Sequence, residues 1–261
     1  MKNFLVHNDD VKSEMLASIG KSSIEDLFSQ IPQQARMSAL ELNNPLSELE
    51  VQKQVKRLAR KNNTDYISFL GAGTYNKFIP ACVSQVANRF EFLTAYTPYQ
   101  PEISQGTLQV MYEFQTMICA LTGMDISNAT MYDAATACAE SILMAVRISK
   151  KNKALVSNKL NPEYIDVIKT YCWANDIELV FFEDFPTDVE DSACVLVQNP
   201  DFYGEIREYI KPDCLFIVCV DISSLSVLEP PRDADIVVGD IQTLGIPMSF
   251  GGPHAGFIAC R

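Results

Sequence analysis

The run CLFIVCVD, residues 214–221, is apolar along its whole length until it ends in an aspartate. The run CVLVQ, residues 194–198, has the same character. Strands that are apolar on both faces are typical of a parallel sheet that helices cover on both sides. The two runs therefore predict an α/β fold.

Segments with helical periodicity alternate with further β-branched runs around residues 214–221. The predicted helices are 80–88, 104–121, 133–150 and 162–174. The predicted strands are 153–157, 178–182, 193–198, 215–221, 236–239 and 257–260. This is the order of βαβ units, so we expect a mostly parallel sheet with helices on both faces in a large domain spanning residues 64–261.

Residues 1–63 form a predicted helical N-terminal region. Ser22 with Glu25, and Ser47 with Glu50, have the spacing of a capping box, in which each side chain satisfies a free backbone N–H of the other residue. The helix after the second box has one apolar stripe and a charged opposite face. That pattern favours docking on a larger body over an independent core.

Composition excludes several classes of function. The 261 residues are 48% apolar and carry a formal net charge of −12, which disfavours binding to nucleic acid or to an anionic membrane surface. The sequence has no apolar run long enough to span a bilayer and no recognisable leader, so we expect a cytoplasmic protein. Two histidines and eight scattered cysteines predict neither a metal site nor a disulfide framework.

Candidate functional residues follow the predicted strands, because ligands of open α/β sheets bind where strands end and helices begin. Asp221 could pair with the pyridinium nitrogen of pyridoxal phosphate, or it could cap the loop that follows. Asp133 opens an alanine-rich helix whose N-terminus could hold a cofactor phosphate, or it could be a simple N-cap. His254, in the glycine-rich SFGGPHAGF stretch, could contact a ring or be structural.

Several longer motifs resemble subunit 1 of the two-subunit P-protein of the glycine cleavage system. They are FLGAGTYNKFIP (69–80), EFLTAYTPYQPEISQGTLQVMYEFQTMICALTGM (91–124), MYDAATACAE (131–140), VQNPDFYG (197–204) and LEPPRDADIVVGDIQTLGIPMSFGGPHAGF (228–257). The resemblance implies the fold of type I pyridoxal-phosphate transferases. It also implies a heterotetramer in which subunit 2 carries the cofactor lysine. That enzyme decarboxylates glycine and passes the aminomethyl group to the lipoyl arm of the H-protein.

The lysine content agrees with this division of labour. A lysine that binds pyridoxal phosphate in this fold should lie just after a late strand, but no lysine follows Lys211. By the resemblance, Gln242 and Thr243 occupy the place of the partner's histidine–lysine pair. A hydroxyl cannot replace an amine that must form an imine. We therefore predict that the partner subunit holds the cofactor and that no residue of this chain alone is catalytic.

The stretch TAYTPYQPEISQG, residues 94–106, provides the predicted substrate loop. A small zwitterionic substrate such as glycine needs a few hydrogen-bonding groups in a pocket from which water is excluded. Thr94, Tyr96, Tyr99, Gln100 and Glu102 offer such groups on a backbone that prolines stiffen. Our hypothesis is that this loop faces the partner's cofactor. The alternative is a rigid turn at the subunit interface.

Two other functions remain open at this point. The chain could be a self-sufficient pyridoxal-phosphate aminotransferase, which the missing late lysine argues against, or an inactive scaffold fragment. The chain ends at Arg261 directly after a predicted core strand, so we expect the large domain to be incomplete at its C-terminal end. A large exposed interface would also allow a homodimer to form in the absence of the partner.

Overall fold

The helices divide between two units of the chain, Met1–Ile67 and Ser68–Arg261. The computed structural model describes residues 6–37, 42–93 and 97–261. The helices are α1 (Asp9–Ser18), α2 (Glu48–Ala59), α3 (Ala81–Ala87), α4 (Phe90–Leu93), α5 (Pro101–Thr122), α6 (Ala134–Ser149) and α7 (Pro162–Ala174). Within these described ranges, no helix combines the length and the apolarity needed to cross a bilayer. The boundary at residue 63 stays a prediction.

One seven-stranded sheet forms the centre of the larger unit. Its strands are β1 (Ile126–Ser127), β2 (Lys153–Ser157), β3 (Glu178–Phe182), β4 (Cys194–Gln198), β5 (Leu215–Asp221), β6 (Ile236–Asp240) and β7 (Gly256–Cys260). The strand order is β1-β7-β6-β5-β4-β2-β3. Strands β3, β2, β4, β5 and β6 are parallel, whereas β7 runs antiparallel to β6 and to β1. The predicted mostly parallel sheet is confirmed.

All helices and strands predicted for residues 64–261 are present, with ends that differ by three residues or fewer. The largest difference is at α5, which begins at Pro101 rather than at residue 104. Proline suits the first turn of a helix because its fixed φ is helical and its missing N–H has no partner there. Residues 97–100 of the predicted substrate loop are therefore irregular, and residues 101–106 belong to α5. The short elements α4 and β1 were not predicted.

Helices cover both faces of the sheet, and the alternation within β5 shows this directly. Ile217 and Cys219 belong to the core that contains α6 and α7. Phe216, Val218 and Val220 belong to the core on the other face, which contains Ile118 of α5. Both faces of β5 are therefore buried in apolar surroundings, which is the reason that its sequence is continuously apolar.

The two capping boxes predicted in the N-terminal unit have different outcomes. Ser47 and Glu50 form the box at the start of α2, as predicted. The box predicted for Ser22 and Glu25 is wrong. Asp26, one residue further along, instead accepts hydrogen bonds from the backbone and hydroxyl of Ser22 and from the backbone of Ser23. A carboxylate at this position reaches all three donors at once, so it replaces the predicted partner.

We expect Asp26 to titrate well below an ordinary aspartate. The hydroxyl and backbone N–H of Ser22, followed by the same two groups of Ser23, lower the pKa of Asp26 to about 2 because they stabilise its ionised form. Since the folded pKa is depressed, the turn is stabilised above the pKa of the unfolded chain and loses that support as the pH falls towards about 2. An NMR titration of the Asp26 carboxyl carbon measures this value. The Ser22→Ala variant should raise it, and an unchanged value in that variant would contradict the assignment.

Candidate functional site

The carboxyl ends of the parallel strands meet at one edge of the sheet and line a small cavity. Asp221 at the end of β5 is in register with Asp240 at the end of β6. Gln198 ends the neighbouring strand β4. The described residues that line the cavity are Gly73, Tyr75, Asn161, Tyr164, Gln198, Phe202, Cys219, Val220, Asp221, Asp240, Gln242 and Thr243. This is the edge at which open α/β sheets bind ligands.

Asp221 is engaged in a turn. Its Oδ1 accepts a hydrogen bond from the Ser223 backbone N–H at 2.9 Å, and the Ser223 hydroxyl lies 2.8 Å from both carboxylate oxygens. The aspartate thereby caps the short 3-10 helix Ile222–Ser226. The sequence left two interpretations open for Asp221, a partner for a pyridinium nitrogen or a cap for the loop that follows. In the structure Asp221 makes the hydrogen bonds of a loop cap.

Asp240 orients a histidine at the same edge. His254 Nδ1 lies 2.9 Å from Asp240 Oδ2, and His254 Nε2 lies 3.0 Å from the Thr74 hydroxyl oxygen. The side chains of His254 and Asp240 are 14% and 15% exposed, so water competes weakly for these bonds. A neutral imidazole that donates from Nδ1 and accepts at Nε2 satisfies all three groups. His254 therefore links the residues just before β7 to Thr74, which lies 180 residues earlier in the sequence.

Gln242 uses its amide group to bind the backbone of Tyr75, next to Thr74, and of Ile246. Its Oε1 accepts from the Tyr75 backbone N–H at 3.1 Å, and its Nε2 donates to the Tyr75 carbonyl at 3.1 Å and to the Ile246 carbonyl at 2.6 Å. Gln242 is 2% exposed. The neighbouring Thr243 lines the same cavity, and its buried hydroxyl has no partner among the described residues.

Asn161 is the third side chain to reach the same segment. It caps α7 by accepting from the Glu163 backbone, and its Nδ2 donates to the Ala72 carbonyl at 3.4 Å. Its own backbone N–H donates to Gln198 Oε1 at 2.9 Å. Residues 72–75, which we call the roof segment, are thus tied to three separate parts of the sheet edge, by Asn161, Gln242 and His254.

Asp133 caps α6, and the start of that helix packs closely against β7. The Asp133 carboxylate accepts from the Thr136 backbone N–H at 2.7 Å. A Cβ built on Gly256 would lie 2.4 Å from the Asp133 carbonyl oxygen, so only glycine allows this approach. Ala134 and Ala135 are buried. Asp133 and His254 also line a second, more open cleft beside the cavity.

Tyr164 lies between the two openings and lines both of them. Burial raises the pKa of its phenol, and the nearby Cys219 and Asp240 raise it further. The phenol therefore stays protonated at physiological pH and can act as a hydrogen-bond donor. Among the residues that the structure describes, no group of three His, Cys, Asp or Glu side chains is placed to hold a metal ion.

The structure separates the predicted site residues into two sets. Asp221, Gln242 and Thr243 line the cavity, and Asp133 and His254 line the adjoining cleft. The remaining residues of the prediction belong to the substrate loop: Tyr99, Gln100 and Glu102 are exposed and line neither opening, and Thr94 and Tyr96 lie outside the described residues.

The roles of Thr74, Tyr75 and Asn161 were not predicted from the sequence. An asparagine followed by proline at residues 161–162 is a recognisable helix start, and it could have identified Asn161 as a cap. Nothing local marks Thr74 or Tyr75, because their partners lie 180 and 167 residues away along the chain.

Comparisons with known proteins give one consistent family. The model of the family described as "Glycine cleavage system P-protein" matches residues 2–261. A curated relative from Geobacillus thermodenitrificans, named "Probable glycine dehydrogenase (decarboxylating) subunit 1", is 45% identical over 100% of this chain and 63% of its own length. A relative of the same name from Carboxydothermus hydrogenoformans is 47% identical over 98% of this chain and 62% of its own length. This chain thus spans somewhat less than two thirds of these relatives.

Solved structures agree on the fold. A crystal structure of glycine decarboxylase (P-protein) of the glycine cleavage system, in an inhibitor-bound form, is 41% identical and has a TM-score of 0.85 over 99% of this chain and 62% of that chain. The glutamate decarboxylase domain of a Vibrio parahaemolyticus protein is 12% identical, with a TM-score of 0.60 over 98% of this chain and 68% of that chain. The second likeness shows the fold alone. The predicted fold class is confirmed.

Proposed function

This chain belongs to the glycine cleavage system P-protein family, and from that premise we propose that it completes the active site of a partner subunit that decarboxylates glycine. The name of its relatives, subunit 1, implies a second subunit. In this proposal the partner holds pyridoxal phosphate, and the assembled enzyme passes the aminomethyl group of glycine to the lipoyl group of the H-protein. This chain supplies binding and positioning groups.

The observation that carries the proposal is the chemistry at the end of β6, where this chain has Gln242 and Thr243 and no lysine. The Gln242 amide is fully used on backbone groups, and an amide cannot form an imine with an aldehyde. Asp221 has its carboxylate engaged by Ser223. The residues present at this edge therefore do not fit a covalently held pyridoxal phosphate.

The exposed polar groups before and at the start of α5 support the role of this chain in the partner's pocket. Tyr99 is 84% exposed, and Gln100 and Glu102 are exposed beside it. Glu102 lies in the first turn of α5, where the helix fixes the direction of its backbone. Exposed polar side chains that have no hydrogen-bond partner among the described residues are suited to bind a small substrate in a neighbouring chain.

The same helix has an apolar surface that a partner could cover. Ile103, Val110, Met117 and Leu121 recur at spacings of seven and four residues, so they share one face of α5, and all four are exposed. Exposed apolar side chains in such number are typical of protein–protein interfaces. This surface is consistent with assembly beside the proposed substrate loop.

A glycine–bicarbonate exchange assay tests the proposed function. We expect subunit 2 with lipoylated H-protein and pyridoxal phosphate to exchange label about 100-fold faster when this chain is added, because misplaced pocket groups cost a factor of that order. Heat-denatured chain is the control for non-specific effects. Equal exchange with and without the chain would overturn the proposal, and exchange by this chain in the absence of subunit 2 would favour the self-sufficient enzyme.

A further inference from the structure

Three polar side chains from separate elements converge on the roof segment. Asn161, at the start of α7, donates a hydrogen bond to the Ala72 carbonyl. His254, before β7, binds the Thr74 hydroxyl. Gln242, after β6, binds the backbone N–H and C=O of Tyr75. A surface loop is usually more mobile than the elements it connects. The roof segment is instead fixed at three of its four residues.

Gln242 makes two of the four bonds that hold the roof segment, more than either of the other side chains. Its amide pairs with the N–H and the C=O of Tyr75 as a neighbouring β-strand would, at 3.1 Å for each bond. A third bond, from Nε2 to the Ile246 carbonyl at 2.6 Å, holds the amide in one orientation. Since Gln242 is buried, removing its amide would leave these partly buried backbone groups without that partner.

Gly73 lets the roof segment approach the sheet edge. Its φ of +98° lies in the region that favours glycine, and a Cβ there would lie 2.9 Å from Asn161 Nδ2. Gly73 and Tyr75 both line the cavity together with Asp221 and Asp240 at the strand ends. The roof segment therefore borders the space in which this class of fold binds its ligands.

The charge of that space also opposes an anionic ligand. Two carboxylates, Asp221 and Asp240, line the cavity, and among the described residues that line it there is no lysine or arginine. An anionic group inside this cavity would meet charges of its own sign, without a compensating cation among the described lining residues.

We propose that Gln242 is a positioning residue that locks the roof segment over the strand ends and so closes this chain's own ligand position to pyridoxal phosphate. The lock of residues 72–75 by Gln242 concerns contacts within one chain, whereas the closure to pyridoxal phosphate rests on the proposed function, in which the partner holds the cofactor. Hydrogen exchange at residues 72–77 and glycine–bicarbonate exchange by the assembled enzyme can fail separately.

Hydrogen exchange of the full 261-residue chain tests the lock. In Gln242→Ala we expect the amides of residues 72–77 to exchange at least about tenfold faster, because the bonds of the Gln242 amide are lost. Thr243→Val is the matched control: it changes the next residue in the same cavity, but the Thr243 hydroxyl has no partner to lose among the described residues. This control should leave the exchange of residues 72–77 unchanged.

Each other outcome overturns the proposal. Unchanged exchange in Gln242→Ala, an equal increase in Thr243→Val, or an increase spread evenly over the chain would each show that Gln242 does not specifically hold the roof segment. If Gln242→Ala does not fold, Gln242→Glu replaces it. The glutamate keeps the acceptor for the Tyr75 N–H and loses the donor to the Tyr75 and Ile246 carbonyls, so the same local increase is expected.

A binding measurement tests whether the position is closed. Pyridoxamine phosphate is the appropriate probe, since it has no aldehyde and cannot react with surface lysines. We expect it to cause no saturable rise in the melting temperature of the unaltered chain. A saturable rise that Thr243→Val or Asp221→Asn changes would place the ligand in the cavity and overturn the proposal.

Discussion

The Gly239→Ala variant is expected to lose most of the stability of the larger unit. Gly239 lies within β6, in register with Val220 of β5. A Cβ at this position would lie 2.3 Å from the Val220 carbonyl oxygen and 2.9 Å from the ring of Phe257. The first of these atoms belongs to the backbone of the neighbouring strand, so a side-chain rotation cannot relieve the clash. We expect a loss of about 3 kcal/mol or more in the free energy of unfolding.

Gly106→Ala is the matched control for this prediction. Gly106 lies inside α5, and beyond the adjacent residues and the helix's own backbone a Cβ built there has no atom within 4 Å. Because alanine is favoured over glycine by up to about 1 kcal/mol within a helix, this variant should be neutral or stabilising. Urea unfolding followed by circular dichroism measures both variants. Equal urea midpoints for Gly239→Ala and the unaltered chain would contradict the close approach of β5 and β6 at Gly239.

Glu102→Gln is expected to reduce glycine–bicarbonate exchange by the assembled enzyme about 100-fold, and Tyr96→Phe to reduce it in the same direction. The first substitution removes a charge and keeps the size of the side chain, so a group that holds or polarises the substrate loses most of its effect. Glu102 is exposed and lies in the first turn of α5, so the fold of this chain should not change. Tyr96 enters this prediction from the sequence alone.

Glu113→Gln is the control for the Glu102 variant. Glu113 is also an exposed glutamate of α5, and its described partner is Gln109 on the same helix. The substitution therefore makes the same chemical change outside the predicted substrate loop. Assembly with subunit 2 should be equal in both variants by size-exclusion chromatography. Exchange that is equally fast in both would leave Glu102 without a role in the pocket and favour the interface turn.

Local signals in the sequence predicted some hydrogen bonds and failed for others. The box of Ser47 and Glu50 forms because the two residues lie three apart at a helix start. At the other predicted box, Asp26 replaces Glu25 as the acceptor for the Ser22 N–H. The spacing rule identifies a place where the chain turns, but a choice between adjacent carboxylates depends on the backbone angles of that turn.

The helices and strands of the larger unit other than α4 and β1, and the edge of the sheet at which polar residues gather, are readable from the amino-acid sequence. Continuous apolar runs can be buried on both faces, and an aspartate at the end of each run must lie where the strand leaves the core. Asp221 and Asp240 each end such a run, and they lie in register at the same edge. The absence of a late lysine is equally readable, since it needs no geometry.

What the polar side chains at that edge hold depends on the folded chain. Gln242 binds Tyr75 across 167 residues, and His254 binds Thr74 across 180. Hydrogen bonds require atoms within about 3 Å, and no periodicity or local spacing encodes which distant backbone will arrive there. A glutamine after a strand can point to solvent, to a ligand or to its own chain. Gln242 binds its own chain because residues 72–75 pass over the edge of the sheet and bring the Tyr75 backbone within reach.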